Sequence, residues 1–222
     1  MSKDSNRLEV LREAAIDLRY LLNRGYRKES ALKLVADKYQ LNKSERLILY
    51  RSVYSNSEAE SIKRKMLTPN MIRDKDVWID GFNVLNTIEA AMRRELLILC
   101  DDGVIRDFSQ VYGSYKISQF TISSISMILE ELKNLKASNV RVLYDSQLSK
   151  SGIIAGKTRE IMGSLGLRGN AEAVKRVDST LSKIDAVVCT SDSVILLACK
   201  QFFDLAGYIA INKIGRTDIV TL

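Results

Sequence analysis

Three aspartates stand at or just beyond the ends of apolar runs: Val77-Trp78-Ile79-Asp80, Val142-Leu143-Tyr144-Asp145 and Val188-Cys189-Thr190-Ser191-Asp192. A fourth, Asp178 in Arg176-Val177-Asp178-Ser179-Thr180, opens a predicted short helix before the third run. The chain contains no histidine. That removes serine–histidine and cysteine–histidine nucleophiles, histidine-bearing zinc sites and histidine acid–base pairs. If the chain is an enzyme, chemistry on carboxylates and a divalent metal is the expectation. Hard oxygen donors favour Mg²⁺ or Mn²⁺. Such an ion acidifies a bound water and neutralises a phosphoryl oxygen, the two requirements of phosphodiester hydrolysis. Taken singly, each aspartate also reads as a turn residue or helix cap.

What would bring these acids together is a parallel sheet. Runs at residues 76–80, 140–145 and 185–190 are short, apolar and separated by helical patterns, so the fold class is α/β, a mostly parallel sheet sandwiched by helices. Residues 208–211 read as a fourth strand and 219–222 as an edge. Asp101-Asp102-Gly103 sits between two apolar runs, at 96–100 and 104–108, and predicts a hairpin with Asp-Gly at its turn. Ile117, Thr121, Ile125, Ile128, Leu132 and Leu135 mark a long helix. All strands of a parallel sheet end at one edge, where ligands bind at the reversal of strand order.

The first third is different. Leu8, Leu11, Ala15, Leu18 and Leu22 form one helical stripe, closed by Gly25. A second helix is predicted over residues 28–39, a third from Asn42, where Asn42 and Glu45 have capping-box spacing, and a fourth around 57–66. The only proline, Pro69, lies in Thr68-Pro69-Asn70, which sets the predicted boundary between a small all-α domain at 1–70 and an α/β domain at 71–222. Net charge is +7, and residues 1–75 carry 17 Lys/Arg against 10 Asp/Glu, so the whole excess lies there. A basic region beside a neutral one suggests a polyanion-binding module, although surface lysines also serve solubility. Residues 31–54 have helix–turn–helix proportions, with Lys38, Lys43, Arg46 and Arg51 as candidate contacts.

Exclusions follow from composition. No apolar run approaches a membrane span, and the N-terminus reads as an amphipathic helix rather than a signal peptide, so a cytoplasmic location is expected. Cys100, Cys189 and Cys199 are dispersed in apolar surroundings and read as buried thiols. Gly152-Ile153-Ile154-Ala155-Gly156-Lys157-Thr158 imitates a phosphate-binding loop, but has three residues between its glycines where the true motif has four.

Asp80-Gly81-Phe82-Asn83-Val84, with the runs ending at Asp145 and Asp192, resembles the PIN-like nuclease superfamily, especially its NYN branch, over residues 76–211. Leu21-Leu22-Asn23-Arg24-Gly25-Tyr26 and Ala31-Leu32-Lys33-Leu34-Val35 resemble a small, largely archaeal family of unknown function. The resemblance implies metal-dependent cleavage of structured RNA, transfer or ribosomal RNA being the guess, with Asp80, Asp145, Asp178 and Asp192 holding Mg²⁺ or Mn²⁺. It implies that Asn83 orients Asp80 or a phosphate and that Ser191 braces its turn. Asp185 is a rival to Asp178, and Asp101, Asp102 and Asp107 belong to a hairpin outside the common pattern. Residues 150–170 read as a loop with a short helix, glycine-rich and carrying Lys150, Lys157, Arg159 and Arg168. It would clamp an RNA backbone or serve as a plain crossover. A non-catalytic RNA-binding or assembly factor, a small-molecule phosphatase and a homo-oligomeric state stay open.

Overall fold

A computed structural model describes residues 3–108 and 117–222. Four helices lead: α1 (Lys3–Asn23), α2 (Lys28–Lys38), α3 (Lys43–Ser52) and α4 (Asn56–Lys63). Leu11, Ala15, Leu18 and Leu22 of α1 are buried against Ala31 and Val35 of α2 and Ile48 and Leu49 of α3. Both capping boxes are complete: Asn42 with Glu45 opens α3, and Ser55 with Glu58 opens α4. Each satisfies two backbone donors that a helix start leaves unpaired.

From residue 76 strands and helices alternate. The elements are β1 (Asp76–Asp80), α5 (Gly81–Met92), β2 (Leu97–Leu99), β3 (Ile105–Asp107), α6 (Thr121–Asn134), β4 (Asn139–Asp145), α7 (Ser151–Leu165), β5 (Gly169–Val174), α8 (Val177–Leu181), β6 (Val187–Cys189), α9 (Ser193–Ala198), α10 (Leu205–Asn212) and β7 (Val220–Thr221). The main sheet runs β5-β4-β1-β6 and is parallel throughout. Val77 and Ile79 of β1 and Val140 and Val142 of β4 pack with α5, α6, α7 and α10 on one face, whereas Leu143 and Val188 pack with α8 and α9 on the other. This alternation is the period-two consequence of a sheet covered on both sides. The second sheet runs β3-β2-β7, its β2–β3 pair antiparallel around Gly103, whose φ of 82° suits glycine.

The regions on either side of Pro69 share their cores. Ala59 and Ile62 of α4 are buried with Val188 and Leu196 on the main sheet's second face, and Ile98, Cys100 and Phe108 are buried with α1–α3. Cys189 and Cys199 are likewise buried.

Two expectations are corrected. Residues 208–211 lie in α10, not a strand: Asp204 accepts a bond from the Gly207 N–H at 2.9 Å and starts a helix that buries Leu205, Ala206, Ile209 and Ala210. Residues 150–170 are no loop but the 15-residue α7 followed by the start of β5. The glycines are tolerated because Ile154, Ala155, Thr158 and Met162 give the helix a buried stripe.

Candidate acidic site at the sheet edge

Strand order reverses between β1 and β6, since the chain passes from β1 outward to β4 and β5 and then returns to β6 on the other side. Asp80 closes β1, Asp145 closes β4, and Asp192 caps α9 just beyond β6, all at the C-terminal edge where the crevice of such sheets lies. Asp178 sits in α8, the short link back from β5.

The turn into α5 depends on Gly81. A methyl placed there would come within 2.9 Å of Tyr144 Cζ and closer to two other ring carbons. That ring cannot easily retreat, because it packs edge-on against Phe82 at 5.1 Å and its hydroxyl shares a 2.8 Å hydrogen bond with Thr158. Gly81 therefore lets β1 and β4 bring Asp80 and Asp145 to one edge.

The turn carrying Asp192 is tied to Asp80. Thr190 Oγ1 donates to Asp80 Oδ2 at 3.0 Å and accepts the Asp192 N–H at 3.1 Å. Asn83 Oδ1 accepts from the Ser191 N–H at 2.7 Å and from Ser191 Oγ at 3.0 Å. Asn83 thus holds the Ser191 turn with its side chain, while its backbone N–H bonds the Asp80 carboxylate.

Electrostatics place the acids within reach of one another. Burial pushes the Asp80 carboxyl up to about 7, opposed by the Thr190 hydroxyl and helped by the charges of Asp192 and Asp178. Asp178 is also raised, chiefly by burial and then by Asp192 and Asp145. No lysine or arginine pairs with any of the four among the described residues. The other candidate acids are engaged. Asp101 accepts from Arg19 Nε at 2.9 Å and Nη2 at 2.8 Å, Asp102 is locked to Arg106, Asp107 accepts from Thr87 at 3.0 Å, and Asp185 pairs with Lys200 at 3.0 Å. Asp185 also precedes β6 and so lies toward the opposite edge.

As donors, the four carboxylates suit a hard divalent cation. Their side chains do not close into a coordination shell: among the described residues no group of three or more His, Cys, Asp or Glu is placed to hold a metal ion. Asp145 instead accepts the Gln147 N–H at 2.9 Å, and Asp192 the Val194 and Ile195 N–H groups at 2.8 and 3.3 Å.

The expected basic clamp is not assembled. Lys150 opens α7 at the acidic edge, whereas Arg168 follows the end of that helix beside the start of β5, at the opposite edge. Between them Lys157 pairs with Glu160, and Arg159 donates to the Ala171 carbonyl. Lys175 and Arg176, both exposed, directly follow β5 at the acidic edge. The sequence does not mark them, because the small and polar residues of β5 carry no strand pattern. Of the helix–turn–helix candidates, Lys38 pairs with Asp17, Arg46 bonds Leu41 O and Asp37, and Arg51 bonds the Asp107 carbonyl.

The molecule is thus an α/β protein with helices at its N-terminus and an acidic strand edge. It belongs to the family described as a domain of unknown function (DUF5616), whose model matches residues 69–208. Residues 10–65 match a second model, protein of unknown function (DUF434). The chain is 44% identical over 189 residues to the uncharacterized protein MJ0935 of the archaeon Methanocaldococcus jannaschii, covering 84% of this chain and 88% of that one. No solved structure matches it. Among the described residues no helix is long and apolar enough to cross a membrane.

Proposed function

We propose that this protein is a metal-dependent endoribonuclease of PIN-like type. The observation that carries the reading is the placement of Asp80, Asp145 and Asp192 at the sheet edge beside the strand-order reversal, with Asp178 in the link after β5, none with a cationic partner among the described residues and Asp80 raised to about 7. Asp80, Asp145, Asp178 and Asp192 would hold Mg²⁺ or Mn²⁺, and the ion would supply an acidified water and charge neutralisation at the phosphate. Asp80, Asp145 and Asp192 each also accept a hydrogen bond, from Thr190 Oγ1 and from the Gln147 and Val194 N–H groups respectively. Thr190 and Asn83 keep Asp80 and the Asp192 turn in register. Lys150, Lys175 and Arg176 border the edge and suit the phosphates flanking a scissile bond.

The test is incubation of the purified chain with structured RNA and Mn²⁺ or Mg²⁺. The parent should cleave, and Asp80→Asn and Asp192→Asn should lose cleavage while still binding RNA. A parent that binds RNA and cleaves nothing with either metal would favour a second reading, a non-catalytic RNA-binding protein. The open arrangement of the carboxylates is what speaks for that alternative.

A further inference from the structure

The hairpin β2–β3 reaches the acidic edge through one side chain. Arg106 on β3 and Asp102 in the hairpin turn are 1% and 0% exposed, and their side chains meet through two bonds of 2.8 and 2.6 Å. The third arm of the guanidinium, Nε, donates at 2.7 Å to the carbonyl of Ser191, eighty-five residues away in sequence. A buried charge needs full pairing, and here one planar fork satisfies a carboxylate and a carbonyl together.

The location of that carbonyl matters. Ser191 C=O and Asp192 N–H belong to one rigid peptide plane. Arg106 holds the oxygen, and Thr190 Oγ1, itself bonded to Asp80, holds the N–H at 3.1 Å. Asn83 holds the preceding N–H at 2.7 Å. The plane is therefore pinned at both ends, and Arg106 is the contact that comes from the second sheet. Freed at its oxygen, the plane could rotate, carrying with it the start of α9 and the carboxylate of Asp192.

We infer that Arg106, locked by Asp102, is a positioning residue that fixes the Ser191–Asp192 peptide so that Asp192 and Asp80 face a common point. Lysine keeps the charge but lacks the fork, so it cannot serve both partners. The metal-binding arm of this inference rests on the function proposed above; the geometric arm does not.

Arg106→Lys is compared with a core variant of matched global stability drawn from the far face, Leu132→Ala or Ile128→Val. Amide hydrogen exchange is read in the absence of metal at Ser191, Asp192 and Val194. Losing one charge-assisted bond should speed exchange there by about tenfold relative to the matched control. Mn²⁺ binding by calorimetry should weaken by a similar factor. Should Arg106→Lys fail to fold, Asp102→Leu with Arg106→Met carries the same test, because it restores apolar packing without giving Ser191 a donor. Exchange equal to that of the control would overturn the inference and leave the pair a purely structural ion bridge. If the parent binds no Mn²⁺, the metal reading falls while exchange still decides whether Arg106 positions the turn.

Discussion

Replacing Asp80 by asparagine should stabilise the metal-free protein. The carboxyl ionises at about 7 in the folded chain against an ordinary 3.8. Because the folded value is raised, its contribution is fully favourable below pH 4 and is lost as pH rises through 7. A shift of about three units, at roughly 1.4 kcal/mol each, sets a ceiling of about 4 kcal/mol at pH 8. Partial contact with water lowers this to about 2 kcal/mol. Asparagine keeps one oxygen for the Thr190 hydroxyl at 3.0 Å, and the weakened acceptance of the Asn83 backbone N–H is part of what holds the gain to that lower figure. For a chain of this size the gain amounts to about 4–8 °C in Tm. Thermal unfolding with chelator present should therefore show the two proteins alike at pH 4, with the variant pulling ahead between pH 5 and 8. Millimolar Mn²⁺ should reverse the order, stabilising only the parent. A variant less stable than the parent at pH 8 without metal, or a gap independent of pH, would refute the reasoning.

Other substitutions probe the scaffold and its edge. Gly81→Ala should cost about 1–3 kcal/mol by overpacking Tyr144, seen in urea unfolding as a lower midpoint with unchanged slope. Exchanging Lys175 and Arg176 for glutamine should weaken RNA binding uniformly across sequences and lower the slope of log K against log salt by about one per charge. Asp185→Asn removes an exposed partner of Lys200; cleavage and Mn²⁺ binding should stay at parental levels, and Tm should move by less than about 1 °C.

Much of this architecture could be read from the chain because its signals were local. Val77-Trp78-Ile79-Asp80 and Val142-Leu143-Tyr144-Asp145 are apolar strands with an acid at the exit, and their shared edge follows from parallel pairing. Asp102-Gly103 announced its hairpin, and Asn42 with Glu45 their helix start. What escaped depended on packing. Gly169-Asn170-Ala171-Glu172-Ala173-Val174 is a strand built of small and polar residues, fixed by its pairing with β4. The Gly152, Gly156 and Gly163 pattern looked like a loop until Met162, Ile154 and Ala155 found the sheet. Tyr208-Ile209-Ala210-Ile211 has strand-like composition, yet Asp204 caps it as a helix. The contact of Arg106 is not legible, since its partner Ser191 lies 85 residues away in the turn between β6 and α9. Among the acids, charge pairing separates Asp101, Asp102 and Asp185, which have cations, from the four at the edge, which have none among the described residues.

The most direct test of the central claim is a crystal of the full chain soaked with Mn²⁺ and measured at the manganese absorption edge. The account predicts an anomalous peak at the β1–β6 crevice, with oxygens of Asp80 and at least two of Asp145, Asp178 and Asp192 at about 2.1 Å. An empty crevice, or manganese bound only elsewhere, would contradict it.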